Sequence, residues 1–155
     1  MNAPTLRDFR PSDLGALYEL DQICFAPGIA YTREEIAGYI RRPGSKAWVA
    51  ESELETRQEI AGFVIAHCDR RRQGHMITVD VAPRWRRQAV GTLLMDAAEA
   101  WMRRQGMELV ALETAEDNRA AQSFYERRGY VKLRRIEHYY GTGEAAWVMT
   151  KTLRA

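Results

Sequence analysis

The stretch from Ile77 to Ala98, ITVDVAPRWRRQAVGTLLMDAA, holds the first residues able to do chemistry. Arg84, Arg86 and Arg87 fall between an alternating apolar segment and a periodic one, with Gly91 just inside the latter. Basic residues and a glycine fed from a strand into a helix start predict an anion cradle. First-turn N–H groups lack intrahelical partners, and the macrodipole favours an anion there by roughly 0.3–2 kcal/mol. RRQAVG contains neither a GxGxxG fingerprint nor a Walker lysine, so an ordinary turn with solvated arginines explains it equally well. Glu113 interrupts the apolar run ELVALET. A carboxyl buried there should be pushed up toward the working range of a base, unless it is a strand-end glutamate paired with an arginine. Tyr125, beside Phe124, offers a phenol that stays protonated at neutral pH, or simply a core aromatic. His138 stands alone and reads as a fallback base or a surface residue. Cys24 and Cys68 have neither an activating neighbour nor zinc-ligand spacing, so no thiol nucleophile and no metal are expected.

The elements that must position these groups can be read from periodicity. Ile77, Val79 and Val81 share one face of a strand that Pro83 stops. Val90, Leu93, Leu94, Ala97, Ala98, Trp101 and Met102 form one helix face, closed by Gly106. Upstream, Thr5–Arg10 predicts a strand. Ser12 or Asp13 then caps a helix with Leu14, Leu17, Leu20, Ile23 and Cys24 on its apolar face. Pro27 and Gly28 break it. Thr32 to Glu35 is a capping box for a second helix through Ile36 and Ile40, ending at Pro43-Gly44. Ala47–Ser52 and Ile60–His67 are strands joined by a polar turn of Glu55, Thr56 and Arg57, the second reading as central and covered on both faces. Arg70, Arg71 and Arg72 are a solvated hairpin loop. Downstream, Glu108–Thr114 is a strand, Asn118 caps a helix that Gly129 ends, and Tyr130–Tyr139 and Ala145–Leu153 are closing strands around a GTGE turn. The order β α α β β β α β α β β predicts an α/β (α+β) domain. Its one mixed, mostly antiparallel sheet carries helices on both faces.

The chain has 155 residues, 46% hydrophobic and 28% charged, with a formal net charge of +2 and a pI near 8.6. This suits one soluble domain over residues 1–155, without repeats or an interdomain linker. The charge does not demand nucleic acid, and no apolar run is long enough to span a bilayer. Two unpaired thiols and the lack of a signal-like start point to the cytoplasm, as monomer or homodimer.

Three segments, VAPRWRRQAVGTLL, LETAEDNRAAQSFYERRGY and RIEHYY…AWVM, together resemble the GNAT superfamily of acetyl-CoA-dependent N-acetyltransferases, and the element order matches across nearly the whole chain. Within it the chain is most similar to enzymes that acetylate protein N-termini, such as the ribosomal-protein alanine acetyltransferases of the RimI type. Phe25, Pro27, Tyr31, Glu113 and the Tyr139-Tyr140 pair carry that narrower likeness.

The resemblance implies that Arg86, Arg87, Gln88, Ala89, Val90, Gly91 and Thr92 hold the coenzyme A pyrophosphate on backbone N–H groups. Ala89 departs from the family's usual glycine, which is harmless if that residue is already helical, where Ala is the better helix former by roughly 1 kcal/mol. Val79 and Val81 would pair with the pantetheine amides through their backbone. Asn118 would contact the pantetheine arm, cap its helix, or both. By the same resemblance Tyr125 is the general acid at the coenzyme sulfur and Glu113 the base, directly or through water. Phe25, Pro27, Tyr31, Tyr139 and Tyr140 would wall the acceptor groove, or pack as edge aromatics.

The implied activity is acetyl transfer from acetyl-CoA to a primary amine, foremost a protein N-terminal α-amine, by direct attack in a ternary complex. Acetylation of a small amine, an amino acid or an internal lysine, or a non-catalytic acyl-CoA-binding domain, are the alternatives.

Overall fold

The computed structural model describes residues 3–54 and 57–153. Its strands are β1 Thr5–Asp8, β2 Ser45–Leu54, β3 Arg57–Cys68, β4 Gln73–Val81, β5 Leu109–Ala115, β6 Val131–Ile136 and β7 Ala146–Thr152. Its helices are α1 Leu14–Cys24, α2 Arg33–Arg41, α3 Val90–Arg104 and α4 Arg119–Arg127. The chain order is the one the sequence predicts. Glu55 and Thr56, in the expected β2–β3 turn, lie outside the described residues.

All seven strands join one sheet in the order β1-β2-β3-β4-β5-β7-β6. Every pairing is antiparallel except β4 with β5, which α3 connects as a crossover. Helices cover both faces. Asp80 meets Asp21 of α1, whereas its neighbour Val81 lies beside Gly91 of α3, and adjacent strand residues point to opposite faces. From Ala61 to His67, β3 is buried without alternation, as a strand covered on both sides should be.

Local signals set most element ends. The Thr32–Glu35 capping box forms with both reciprocal hydrogen bonds, and Gly106 closes α3 at φ +83°. At α1 the expectation fails. Asp13 makes no side-chain cap; its carboxylate instead accepts from the Arg7 guanidinium and the Arg10 backbone N–H, and a 3-10 turn over Pro11–Asp13 leads into the helix. Ile23, expected on the apolar face, is 65% exposed, and the buried residues are Leu17, Leu20 and Asp21.

In β4 the fully buried positions are Gly74, Met76, Thr78 and Asp80, while Ile77, Val79 and Val81 are half-buried. The β3–β4 register skips Ile77, and this bulge reverses which side chains face α3 beyond it. The buried face of α3 also includes Met95 and Glu99, which apolar periodicity omits. β6 stops at Ile136, three residues early, and His138 takes a left-handed conformation at φ +52°, which an extended strand cannot contain. Among the described residues no helix is long and apolar enough to cross a membrane.

Candidate active site

β4 and β5 pair only from Gln73 to His75 against Leu109 to Ala111. Beyond that point they part, and the fork opens a cleft of about 340 Å³. Met76 to Val79 line one wall and Leu112 to Ala115 the other. Phe25 and Tyr31, from the α1–α2 connection, and Tyr139 and Tyr140, from the β6–β7 connection, close it above. These connections touch: the Gly141 N–H donates to the Gly28 carbonyl at 3.1 Å. Gly28 has φ +89°, and a Cβ there would lie 3.0 Å from Thr142 Cγ2, so the contact requires glycine.

Glu113 reaches the cleft from β5. Its Oε1 accepts from His75 Nε2 at 2.8 Å and from the Tyr139 hydroxyl at 3.1 Å. Burial pushes the carboxyl up, as the sequence suggests. The hydrogen bonds and charge of His75, the Tyr139 hydroxyl and nearby Arg134 more than offset it and hold the group below its ordinary value. The expected upward shift is therefore reversed, and Glu113 stands as a fixed anion. The partner responsible, His75, is 38 positions away in sequence and carries no local signal.

Tyr125 lines the same cleft from α4, its ring edge-on to Phe124 and Tyr130 at centroid distances of 5.4 and 5.7 Å. Its hydroxyl makes no hydrogen bond to a described residue. Burial, with the charge of Asp80, raises it well above the ordinary phenol value, so it is a proton donor at any working pH. Asn118 does both things expected of it: Oδ1 caps α4 by accepting from the Ala121 N–H at 3.2 Å, and the residue lines the cleft. Phe25, Tyr31, Val79, Tyr139 and Tyr140 also line it. Pro27 is exposed and does not, nor does His138. Val81 lies past the cleft, its carbonyl taken by Arg86 Nε at 3.3 Å and Cys24 Sγ at 3.5 Å.

The Arg86–Thr92 segment sits at the α3 N-terminus, adjoining the cleft without lining it. Among the described residues no side chain caps this helix end, and its first intrahelical bond runs from the Leu93 N–H to the Ala89 carbonyl. The preceding first-turn donors are left for an anion. Gly91 approaches α4: a Cβ there would meet the Phe124 ring at 3.2 Å. The condition under which the Ala89 methyl would be harmless is not met: the residue is not helical but holds φ +63° as the N-cap, and Arg87 holds +61°. The methyl is thus a strain where glycine would have none. Ala89→Gly is expected to raise the free energy of unfolding by about 0.5–1 kcal/mol, strain relief outweighing the added unfolded-state entropy. Urea denaturation at matched m-values would measure it, and a fall in stability would contradict the left-handed assignment.

Behind the cleft, Asp21 and Asp80 face each other with both side chains buried. Among the described residues Asp21 Oδ1 and Asp80 Oδ2 have no other hydrogen-bond partner, while Asp21 Oδ2 accepts from the Tyr31 N–H at 2.7 Å and Asp80 Oδ1 from the Thr78 hydroxyl at 2.6 Å. Burial and Asp21 push the Asp80 carboxyl far above its usual range, so one proton between the orphan oxygens satisfies both. The pair ties the α1–α2 connection to β4. A charge inside ITVDV was its only trace in the sequence. Among the described residues no group of three His, Cys, Asp or Glu side chains could hold a metal ion.

The Acetyltransferase (GNAT) family model matches residues 14–130. The chain is 35% identical over 75 residues to N-alpha-acetyltransferase 30 of Schizosaccharomyces pombe, covering 48% of this chain and 50% of that protein. It spans about half the length, or less, of the curated N-alpha-acetyltransferases it matches. The crystal structure of Ard1 from Thermoplasma volcanium superposes with a TM-score of 0.87 at 28% identity, covering 99% of this chain and 100% of that one. The ribosomal-protein-S18-alanine N-acetyltransferase of Escherichia coli superposes at 0.83 over 98% and 95% of the two chains; at 21% identity this shows likeness of fold.

Proposed function

This chain belongs to the Acetyltransferase (GNAT) family, and from that premise we propose that it transfers acetyl from acetyl-CoA to a protein N-terminal α-amine. The observation that carries the reading is one cleft, at the fork of β4 and β5, lined by both a fixed carboxylate, Glu113, and a phenol that bonds to no described residue, Tyr125. The residues present fit acetyl-CoA: the α3 N-terminus has no side-chain cap, and β4 leaves β5 where an extended amide-bearing arm could lie. Acetyl-CoA would supply an acyl group already activated as a thioester.

Arg86 to Thr92 would hold its phosphates, with Val79 and Asn118 beside the pantetheine arm. An α-ammonium group has an ordinary pKa of about 7.7–8.0, so a weak base suffices. Glu113, an anion at neutral pH, draws the ammonium into the cleft and accepts its proton, directly or through water. The Tyr125 hydroxyl gives a proton to the departing sulfur. Phe25, Tyr31, Tyr139 and Tyr140 grip the acceptor's first residues, with Pro27 shaping the loop that carries the first two. The likeness to N-alpha-acetyltransferases supports an N-terminal amine over a lysine, whose ordinary pKa near 10.4 asks more of the base.

Coenzyme A release tests this with two peptides, one with a free small N-terminal residue and no lysine, the other N-terminally blocked with one lysine. Turnover of the first alone is expected. Turnover of the second alone would discard the N-terminal acceptor while keeping the acyl transfer.

A further inference from the structure

The acyl-transfer chemistry leaves the buried Asp21–Asp80 pair unused, although Asp21 is 0% exposed and Asp80 1%. Asp21 stands in the last turn of α1. Its carbonyl accepts from the Phe25 N–H at 3.1 Å and its Oδ2 from the Tyr31 N–H at 2.7 Å. The neighbouring Gln22 Nε2 donates to the Tyr31 carbonyl at 2.7 Å. Both backbone groups of Tyr31 thus hang on side chains of α1, and Phe25 and Tyr31 both line the cleft. Asp80 is on β4, just past the residues that form one cleft wall. Two longer contacts also reach β4, from Cys24 Sγ to the Val81 carbonyl and from the Tyr31 hydroxyl to the Ile77 carbonyl, each at 3.5 Å.

Two ionised carboxylates can only accept, so they hold each other only while one carries a proton. Without it, two like charges face each other out of water. The charged and titratable groups that face the pair are Cys24 of α1, Tyr31 of the α1–α2 connection, Arg86 from the segment before α3 and Tyr125 of α4. Thr78 joins them from β4 itself, and β3 sets the apolar Phe63 opposite Asp80. Burial pushes the Cys24 thiol up to about 11 and raises both phenols. All three stay neutral in the working range and offset no second negative charge.

We propose that Asp21 and Asp80 are a proton-held latch: their shared proton seats the α1–α2 connection on β4, positions Phe25 and Tyr31 to grip the acceptor, and releases them when it is lost to solvent. This rests on the reading of the cleft as the acceptor site of an acetyltransferase. Above the ordinary aspartate value of about 3.9, the seated pair keeps one proton more than the released, solvated pair. Closure therefore weakens as pH rises, by up to about tenfold per pH unit, until the seated pair has lost that proton too.

The test compares Asp80→Asn and Asp80→Ala with the wild type, with unfolding midpoints measured in parallel. In Asp80→Asn the amide Nδ2 donates permanently to Asp21 Oδ1, while Oδ1 still accepts from Thr78. Two quantities are followed from roughly pH 6 to 9: KM for the acceptor peptide, and hydrogen-exchange protection of the Tyr31 amide corrected for its intrinsic rate. Wild type should lose affinity and protection as pH rises, and Asp80→Asn should hold both, so the ratio of their peptide KM values grows about tenfold. Asp80→Ala should raise peptide KM about tenfold throughout, with KM for acetyl-CoA and kcat unchanged. Should Asp80→Ala fail to fold, Asp80→Asn decides alone. Parallel pH dependence in wild type and Asp80→Asn overturns the proposal, as does a folded Asp80→Ala with wild-type peptide KM and Tyr31 protection. Protection that follows the pair beside an unchanged peptide KM overturns its role in gripping the acceptor. If no form acetylates any amine, the acetyltransferase reading fails, and Tyr31 protection by itself decides the latch.

Discussion

Tyr125→Phe is expected to lower kcat about a hundredfold while leaving KM for acetyl-CoA unchanged. The substitution removes one oxygen and keeps the ring that packs edge-on against Phe124 and Tyr130. Because the hydroxyl bonds to no described residue, its loss orphans none of them, and the unfolding midpoint should stay in place. The phenol remains protonated throughout the working range, held there by burial and the nearby Asp80 charge, so its contribution is a proton given and not one taken. The effect should therefore fall on the chemical step and be flat in pH below the phenol's raised value. Steady-state kinetics with both substrates varied would measure it. Unchanged kcat would remove Tyr125 as acid, and if Glu113→Gln were also silent while coenzyme still bound, a non-catalytic acyl-CoA-binding domain would become the better account.

Removing the Glu99 carboxylate is the second large effect, this time on stability. Glu99 belongs to α3, and its side chain is 2% exposed. It accepts from the Tyr130 hydroxyl at 2.8 Å and from Lys151 Nζ at 2.7 Å, with the Arg128 guanidinium at 3.2 Å. Glu99→Ala would leave a buried phenol and an ammonium without their acceptor, which costs about 3–5 kcal/mol. Against a total stability of roughly 5–15 kcal/mol, that predicts a fall in Tm on the order of 10 °C. Glu99→Gln, which keeps an oxygen for one donor, should lose less. A loss below about 1 kcal/mol for the alanine variant would mean that water replaces the carboxylate. Function is coupled to this network, since the Tyr130 ring that Glu99 seats lies against Tyr125.

Local chemistry made much of the architecture legible. The Thr32–Glu35 capping box, the Asn118 cap, the glycines that end α3 and α4, and the unbroken apolar run in β3 all act through neighbours in sequence, so element order and sheet class follow from the chain itself. The phenol, carboxylate and asparagine of the cleft could be named through the resemblance, because LETAEDNRAAQSFYERRGY carries all three in one family-like segment. Legibility stopped where long-range contacts decide. A one-residue bulge at Ile77 reversed the faces of β4 and buried Asp80 against Asp21 of α1. The left-handed turn at Ala89 made a methyl that looked favourable for a helix a strain instead. Glu99 is on a buried helix face because Tyr130 and Lys151, from distant segments, converge on it.

The sequence by itself determined a mixed α/β domain with a phosphate-cradle segment and a candidate acid and base. Only the tertiary structure decided the electrostatics of that base. A carboxyl alone in an apolar strand should rise in pKa, yet Glu113 is held below its ordinary value because the fork of β4 and β5 sets His75 beside it and a distant loop adds the Tyr139 hydroxyl. Burial is written in local hydrophobicity, but the hydrogen bonds that offset it depend on which strands become neighbours and where they part.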